Sequence, residues 1–207
     1  DLWTAGPVRR TAAGNPRTDI GVSPMLNRPT LYALVALAVV SRMLPHPPNF
    51  VFMGALGLFA GCHLRGVSAV AVPLLALLIS DIIGTYANLL STGIYPPIVI
   101  ASVYAAVAIS ALIGMQLRNR RSIVRVATAS LACSTSFFLL SNLGVWAAGF
   151  YPASLNGLVA SYTAALPFFQ YTIASDLLYS AITFGTLAVW QGWQLPMVRR
   201  GHANVGL

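Results

Sequence analysis

The stretch LLALLISDIIGTY, residues 74–86, embeds Asp81 in apolar residues on both sides. A second stretch, QYTIASDLLYSAITF, residues 170–184, does the same for Asp176. Each aspartate follows a serine and precedes two branched aliphatic residues. The chain has only four acidic residues in 207, so half of its acids lie in such runs. A carboxylate at membrane depth is costly enough that an acid kept there is a candidate functional group. That reading holds only if the runs are membrane spans.

Composition favours spans. Hydrophobic residues make up 57% of the chain, charged residues only 8%, and mean hydropathy is +0.75. A soluble domain carries about 25% charged residues, so the bilayer is the expected solvent. All twelve basic residues are arginines, and glutamate is missing altogether. In a soluble protein a pI near 10.2 would suggest nucleic acid. Here the arginines sit in short segments between apolar runs, the pattern of topology signals. Membrane lipids are therefore expected partners, and nucleic acid is not. Cys62 and Cys133 lie inside apolar runs without metal-ligand spacing and read as small buried hydrophobes.

An apolar helix needs about 20 residues to cross a core of about 30 Å. Residues 67–87, 97–117, 126–146 and 171–191 meet that length. The apolar region 31–64 is interrupted by Leu44-Pro45-His46-Pro47-Pro48-Asn49, where three prolines in four positions end a helix. It is either two short spans or one bent one. Two spans place eleven of the twelve arginines on one side of the membrane, which the positive-inside rule favours. The expected fold is thus all-α: a polytopic bundle of six transmembrane helices in residues 30–193. An arginine-rich tail (1–29) and a short tail (194–207) would both be cytoplasmic. Residues 154–169, apolar but short and containing Pro167, read as a lid or interfacial helix on the outer face.

Helical rise gives depths. Counted from the inner ends, Asp81, Asn142 and Asp176 stand roughly 21 to 24 Å up their helices, and Arg42 roughly 17 Å. Ser80-Asp81, Ser141-Asn142 and Ser175-Asp176 echo one another in sequence. Three such groups at one level suggest a shared pocket or network, with Arg42 as counter-ion to one aspartate. The plainer alternative is a hydrogen-bonded cluster that holds the bundle together. Uncharged outer segments supply a possible rim: His46, Asn49, Tyr86, Asn88, Tyr95, Trp146, Tyr151, Asn156, Tyr162 and Gln170. Aromatic and amide groups without charge suit a neutral or weakly charged organic ligand. Gly54, Gly57 and Gly61, and separately Ala101 and Ala105, have spacings that let helices approach closely.

Four stretches together carry a resemblance: LPHPPNFVFMGALGLFAG (44–61), VPLLALLISDIIG (72–84), FFLLSNLGVWAAGFYPASLNGLVASYTAALPFF (137–169) and SDLLYSAITFG (175–185). They resemble a bacterial family of small integral membrane proteins that is similar to the S, or substrate-binding, components of energy-coupling-factor vitamin transporters. The resemblance covers roughly residues 30–187. It implies six helices, both termini in the cytoplasm of a bacterial inner membrane, and a ligand pocket near the outer face capped by loops. S components usually dock on a coupling subunit through an Ala-x-x-x-Ala face of the first helix. Here Ala33, Ala36 and Ala38 lack that spacing.

The expected function is binding or transport of a small vitamin-like solute, with a coupling module as a possible partner. The alternative is a structural or accessory subunit of a larger membrane complex. Catalysis is not expected: there is no HExxH, no paired carboxylates, and no serine with a base and an orienting partner. No metal or other cofactor is expected either.

Overall fold

The computed structural model describes residues 28–87, 95–119 and 121–190. The expectations for both tails, Asn88 and Arg120 fall outside these residues. Among the described residues there are six helices and no strand: α1 (Arg28–Met43), α2 (Met53–His63), α3 (Ser68–Tyr86), α4 (Pro97–Met115), α5 (Ile123–Ala147) and α6 (Leu155–Trp190).

Local sequence explains most boundaries. Pro45 follows α1 closely, and Pro97 opens α4 at a position where its missing N–H costs nothing. The Ser122 hydroxyl accepts from the Arg125 N–H at 3.3 Å and caps α5. At the far end of α5, Gly149 has φ +84° and donates to the Trp146 carbonyl, while Phe150 N–H reaches Val145. That pair of bonds is a Schellman stop. Ser154 then caps α6 by accepting from the Gly157 N–H at 3.2 Å.

α3, α4, α5 and α6 are each long and apolar enough to cross a membrane. Large apolar side chains such as Leu75, Ile79, Ile82, Leu112, Leu131, Leu143 and Ile182 stand on their exposed faces. Long apolar helices with apolar outer surfaces point to a membrane protein.

The interrupted region forms two helices rather than one bent one. Between α1 and α2, Phe50 N–H donates to the Pro47 carbonyl at 3.0 Å and Asn49 takes φ +65°. Pro48 and Asn49 thus hold the two central positions of a type II turn, which needs positive φ at the second. α2 has only 11 residues, roughly 16 Å, about half the apolar thickness. It has no polar face and is buried along nearly its whole length. α1, α3, α4, α5 and α6 follow one another around it, and α2 touches all five.

Glycines bring α2 and α4 together. A β-carbon at Gly57 would meet Ser110, one at Gly61 would overlap the Ala111 carbonyl, and one at Gly114 would overlap Leu58. Ala101 and Ala105, expected to join in such contacts, are exposed instead.

The lid expectation is corrected. Residues 155–190 form one continuous helix of 36 residues, roughly 54 Å if straight, with Pro167 inside it. A proline removes one hydrogen bond, here to the Thr163 carbonyl. In an apolar segment there is no water to reward further unwinding, so the helix continues through it.

Candidate functional site

The bundle has two chemically different ends. One carries Arg65, Arg118, Arg121 and Arg125. The other is built from the turn after α1, the segment before α4 and the turn between α5 and α6. A cavity of about 580 Å³ lies toward this second end, lined by residues of α1 to α6 and by His46, Asn49, Tyr95 and Tyr151 from the connecting segments.

An ion pair stands in its wall. Arg42, in the last turn of α1, contacts the Asp81 carboxylate of α3 at 2.5 Å through Nη1, which also lies against the Ser80 hydroxyl. The Tyr104 hydroxyl of α4 donates to the other Asp81 oxygen at 2.9 Å. Both charged side chains are mostly buried, 16% and 12% exposed. The pair therefore ties three helices together and still faces the cavity. Its charges cancel, so the site presents hydrogen-bonding groups and little net charge. Around it, Phe137, Phe138, Phe168 and Phe169 supply aromatic surface, and Ser141, Asn142, Ser161 and Thr172 supply hydroxyl and amide groups. A few polar groups in an aromatic wall is the ordinary make-up of a small-molecule site.

The candidates among the described residues divide into two sets. Arg42, His46, Asn49, Asp81, Tyr95, Asn142 and Tyr151 line the cavity, whereas Tyr86, Trp146, Asn156, Tyr162, Gln170 and Asp176 do not. Tyr86 is 86% exposed at the end of α3. The Trp146 indole donates to the Pro152 carbonyl at 3.0 Å and braces the turn into α6. The Tyr162 hydroxyl donates to the Leu139 carbonyl at 2.8 Å, and Gln170 to Pro167 at 3.0 Å. Asn142 lines the cavity while its amide donates to the Phe138 carbonyl of its own helix at 2.7 Å. Asn156 is exposed, away from the cavity.

Asp176 does something else. It is 3% exposed, accepts from the Ser134 hydroxyl at 2.7 Å, and accepts the Ala55 backbone N–H in the first turn of α2. A β-carbon at Gly54 would overlap its carboxylate. No side chain local to α2 caps its start, so a carboxylate from α6 takes the capping role. At the other end of α2, Arg118 donates to the carbonyls of Gly61 and Leu64, at 2.9 and 2.7 Å. A carboxyl acceptor at the N-terminus and a guanidinium donor at the C-terminus satisfy the backbone groups that a helix leaves unpaired at its ends. The single network expected of Asp81, Asn142 and Asp176 is thus two separate clusters and a lone amide. Depth along a helix says nothing about which way a residue faces around it.

Expected from this geometry, Asp176→Ala destabilises the protein by about 1–2 kcal/mol, the cost of losing a helix cap. Asp176→Asn, which keeps an acceptor oxygen, costs less. Thermal unfolding in mild detergent compares the two, and equal midpoints for both variants would contradict the capping role.

Sequence reading missed Tyr104 and Ser134 as partners of the aspartates, and Ser80 as a partner of Arg42. Tyr104 had a signal: it is a lone tyrosine inside the apolar run of α4, about 10 Å from that helix's start.

A model of a family of unknown function (DUF6580) matches residues 24–198. The chain belongs to this family. The match takes in all six helices and every lining residue of the cavity. No curated protein and no solved structure matches the chain.

Proposed function

We propose that the protein binds, and serves the transport of, a small vitamin-like solute in a bacterial inner membrane, in the manner of an energy-coupling-factor S component. The observation that carries this reading is the cavity of about 580 Å³ at the arginine-poor end, with the Arg42–Asp81 pair in an aromatic wall. The ligand that suits it is neutral or zwitterionic, with a planar body to lie against phenylalanine rings.

The topology that goes with this reading has six passes and both termini in the cytoplasm. α1 and α2 count as two short passes, and the chain turns back at residues 44–52 within or near the apolar layer. Non-helical backbone at such depth is tolerated where it lines a cavity. His46, Asn49 and Val51 lie in that position. The arginine-rich end then faces the cytoplasm and the cavity opens outward.

Thermal unfolding of the purified protein against a panel of vitamins and their precursors tests the reading. At least one compound is expected to raise the midpoint. Asn142→Trp, which fills the cavity, should abolish the rise, and Asp176→Asn, away from the cavity, should keep it. A panel without effect, or a rise untouched by Asn142→Trp, would count against solute binding.

A second reading, an accessory subunit of a larger membrane complex, draws support from Ala101 and Ala105, exposed four residues apart on α4. Such a face lets another helix approach closely. Isolation as a monodisperse monomer in mild detergent would argue against it.

A further inference from the structure

The hydrogen-bonding groups along the solute cavity are sorted by kind between its walls. On the α1 side, Arg42 uses only Nη1, on the Asp81 carboxylate and the Ser80 hydroxyl. Its Nε and Nη2 have no partner among the described residues. Neither is sealed in protein, because the one fully buried side-chain polar atom lacking a partner among those residues is the Ser180 hydroxyl. Nε–H and Nη2–H lie parallel on one edge of the guanidinium plane, and that edge matches both oxygens of a carboxylate. The ion pair with Asp81 thus leaves the bidentate edge of Arg42 open in the wall of the cavity.

The walls from α5 and α6 offer the reverse. Ser141 Oγ donates to the Phe137 carbonyl at 2.7 Å, and Ser161 Oγ to the Asn142 carbonyl at 3.1 Å. A carbonyl only accepts, so each hydroxyl has committed its one proton and keeps lone pairs for a ligand. The Asn142 amide nitrogen is held in the same way by the Phe138 carbonyl at 2.7 Å. That bond orients the amide and leaves Oδ1 without a partner among the described residues. Phe138 and Phe169 line the same walls, and the face of an aromatic ring attracts a cation.

We infer that the solute is an amino-carboxylic acid, with its carboxylate on the Nε–Nη2 edge of Arg42 and its ammonium against the acceptors of α5 and α6. This assignment rests on the cavity being the solute site proposed above. Charge favours a zwitterion over a simple anion. Arg42 and Asp81 already cancel, so a ligand carboxylate alone would leave a net negative charge in a mostly buried wall, and the ligand's own ammonium removes it. Each end has a matched neutral form. A primary amide offers one acceptor oxygen where the carboxylate offers two, and N-acetylation removes the positive charge and two of the three N–H donors.

A series of aromatic amino acids with the ring between the two charged groups tests this on the purified full-length protein. It begins with para-aminomethylbenzoate and is lengthened methylene by methylene, each member beside its primary amide and its N-acetyl derivative. Apparent affinities come from the concentration dependence of the thermal midpoint in mild detergent. At least one zwitterion should bind about tenfold more tightly than either derivative, the difference one charge-assisted contact makes. Arg42→Lys keeps a charge facing Asp81 but has no bidentate edge. It should lose the preference for the acid over the amide and keep the preference for the free amine. Asn142→Leu should do the opposite. Each preference is a ratio within one variant, so a lowered stability does not mimic its loss. Derivatives that bind as tightly as the parent acids, or either variant keeping the preference it should lose, would overturn the proposal and leave the cavity a solute site. A series without effect, beside vitamins that do stabilise the protein, would overturn it in the same way. Silence from both sets of compounds would remove the solute reading as well.

Discussion

Gly61→Val is expected to yield no folded protein, and Gly61→Ala a protein with a sharply lower unfolding midpoint. The reason lies in what a side chain there would strike. The nearest atoms belong to the backbone of α4, at Ala111 and Met115, and not to the flexible end of a side chain. Overpacking a core that can adjust costs about 1–3 kcal/mol. Here two helices must separate, so the upper end of that range or more is expected. Separation would also open the reciprocal contact of Gly114 against Leu58. α2 is the element around which the others pack, so the loss spreads through the bundle. Gly185→Ala is the control: its β-carbon meets open space, and a helical alanine is favoured over glycine by about 0.5–1 kcal/mol. Size-exclusion profiles and thermal midpoints in detergent separate the two outcomes. A Gly61→Ala protein as stable as the unaltered one would contradict the backbone contact between α2 and α4.

Breaking the Arg42–Asp81 pair from one side is expected to cost more than removing it from both. Arg42→Met leaves a mostly buried carboxylate with the Tyr104 hydroxyl, and Asp81→Leu leaves a guanidinium with the Ser80 hydroxyl. Removing one partner of a buried pair typically costs 3–5 kcal/mol, whereas replacing both by apolar groups is often neutral. The pair borders a cavity, so the lower figure, about 3 kcal/mol, applies. The double variant should unfold at a higher temperature than either single variant, and the double-mutant cycle should give a favourable coupling between the two side chains. Additive losses would mean that the two charges do not act as a pair. The double variant should nonetheless lose the solute response, because the polar group in the cavity wall is gone.

Much of this architecture was legible in the chain. Apolar runs and their punctuation located five helices and the second half of α6, and Pro48-Asn49 encoded the turn that separates α1 from α2. The pairing of Arg42 with one aspartate followed from their similar depths and from the scarcity of charge. Four features escaped, wholly or in part, for identifiable reasons. Ser80-Asp81 and Ser175-Asp176 look alike, but the rotation of α3 and α6 about their axes turns one aspartate to the cavity and the other to the start of α2. That rotation is set by packing against neighbours and leaves no local mark. Pro167 reads as a break, yet it removes only one hydrogen bond where no water competes for the rest. Arg118 reads as a topology signal, and in the fold it also closes the end of a helix 54 residues before it in the chain. The Gly57 and Gly61 spacing showed that α2 meets another helix closely, but not that α4, rather than a separate chain, is the one it meets.

The direct test of the solute cavity is native mass spectrometry of the protein isolated from its own membranes, beside Asn142→Trp isolated in the same way. A single small-molecule adduct on the unaltered protein, missing from the variant while its fold is kept, is the expected result. An unaltered protein without any adduct, or an adduct of the same mass retained by Asn142→Trp, would contradict the assignment of this cavity as a binding site.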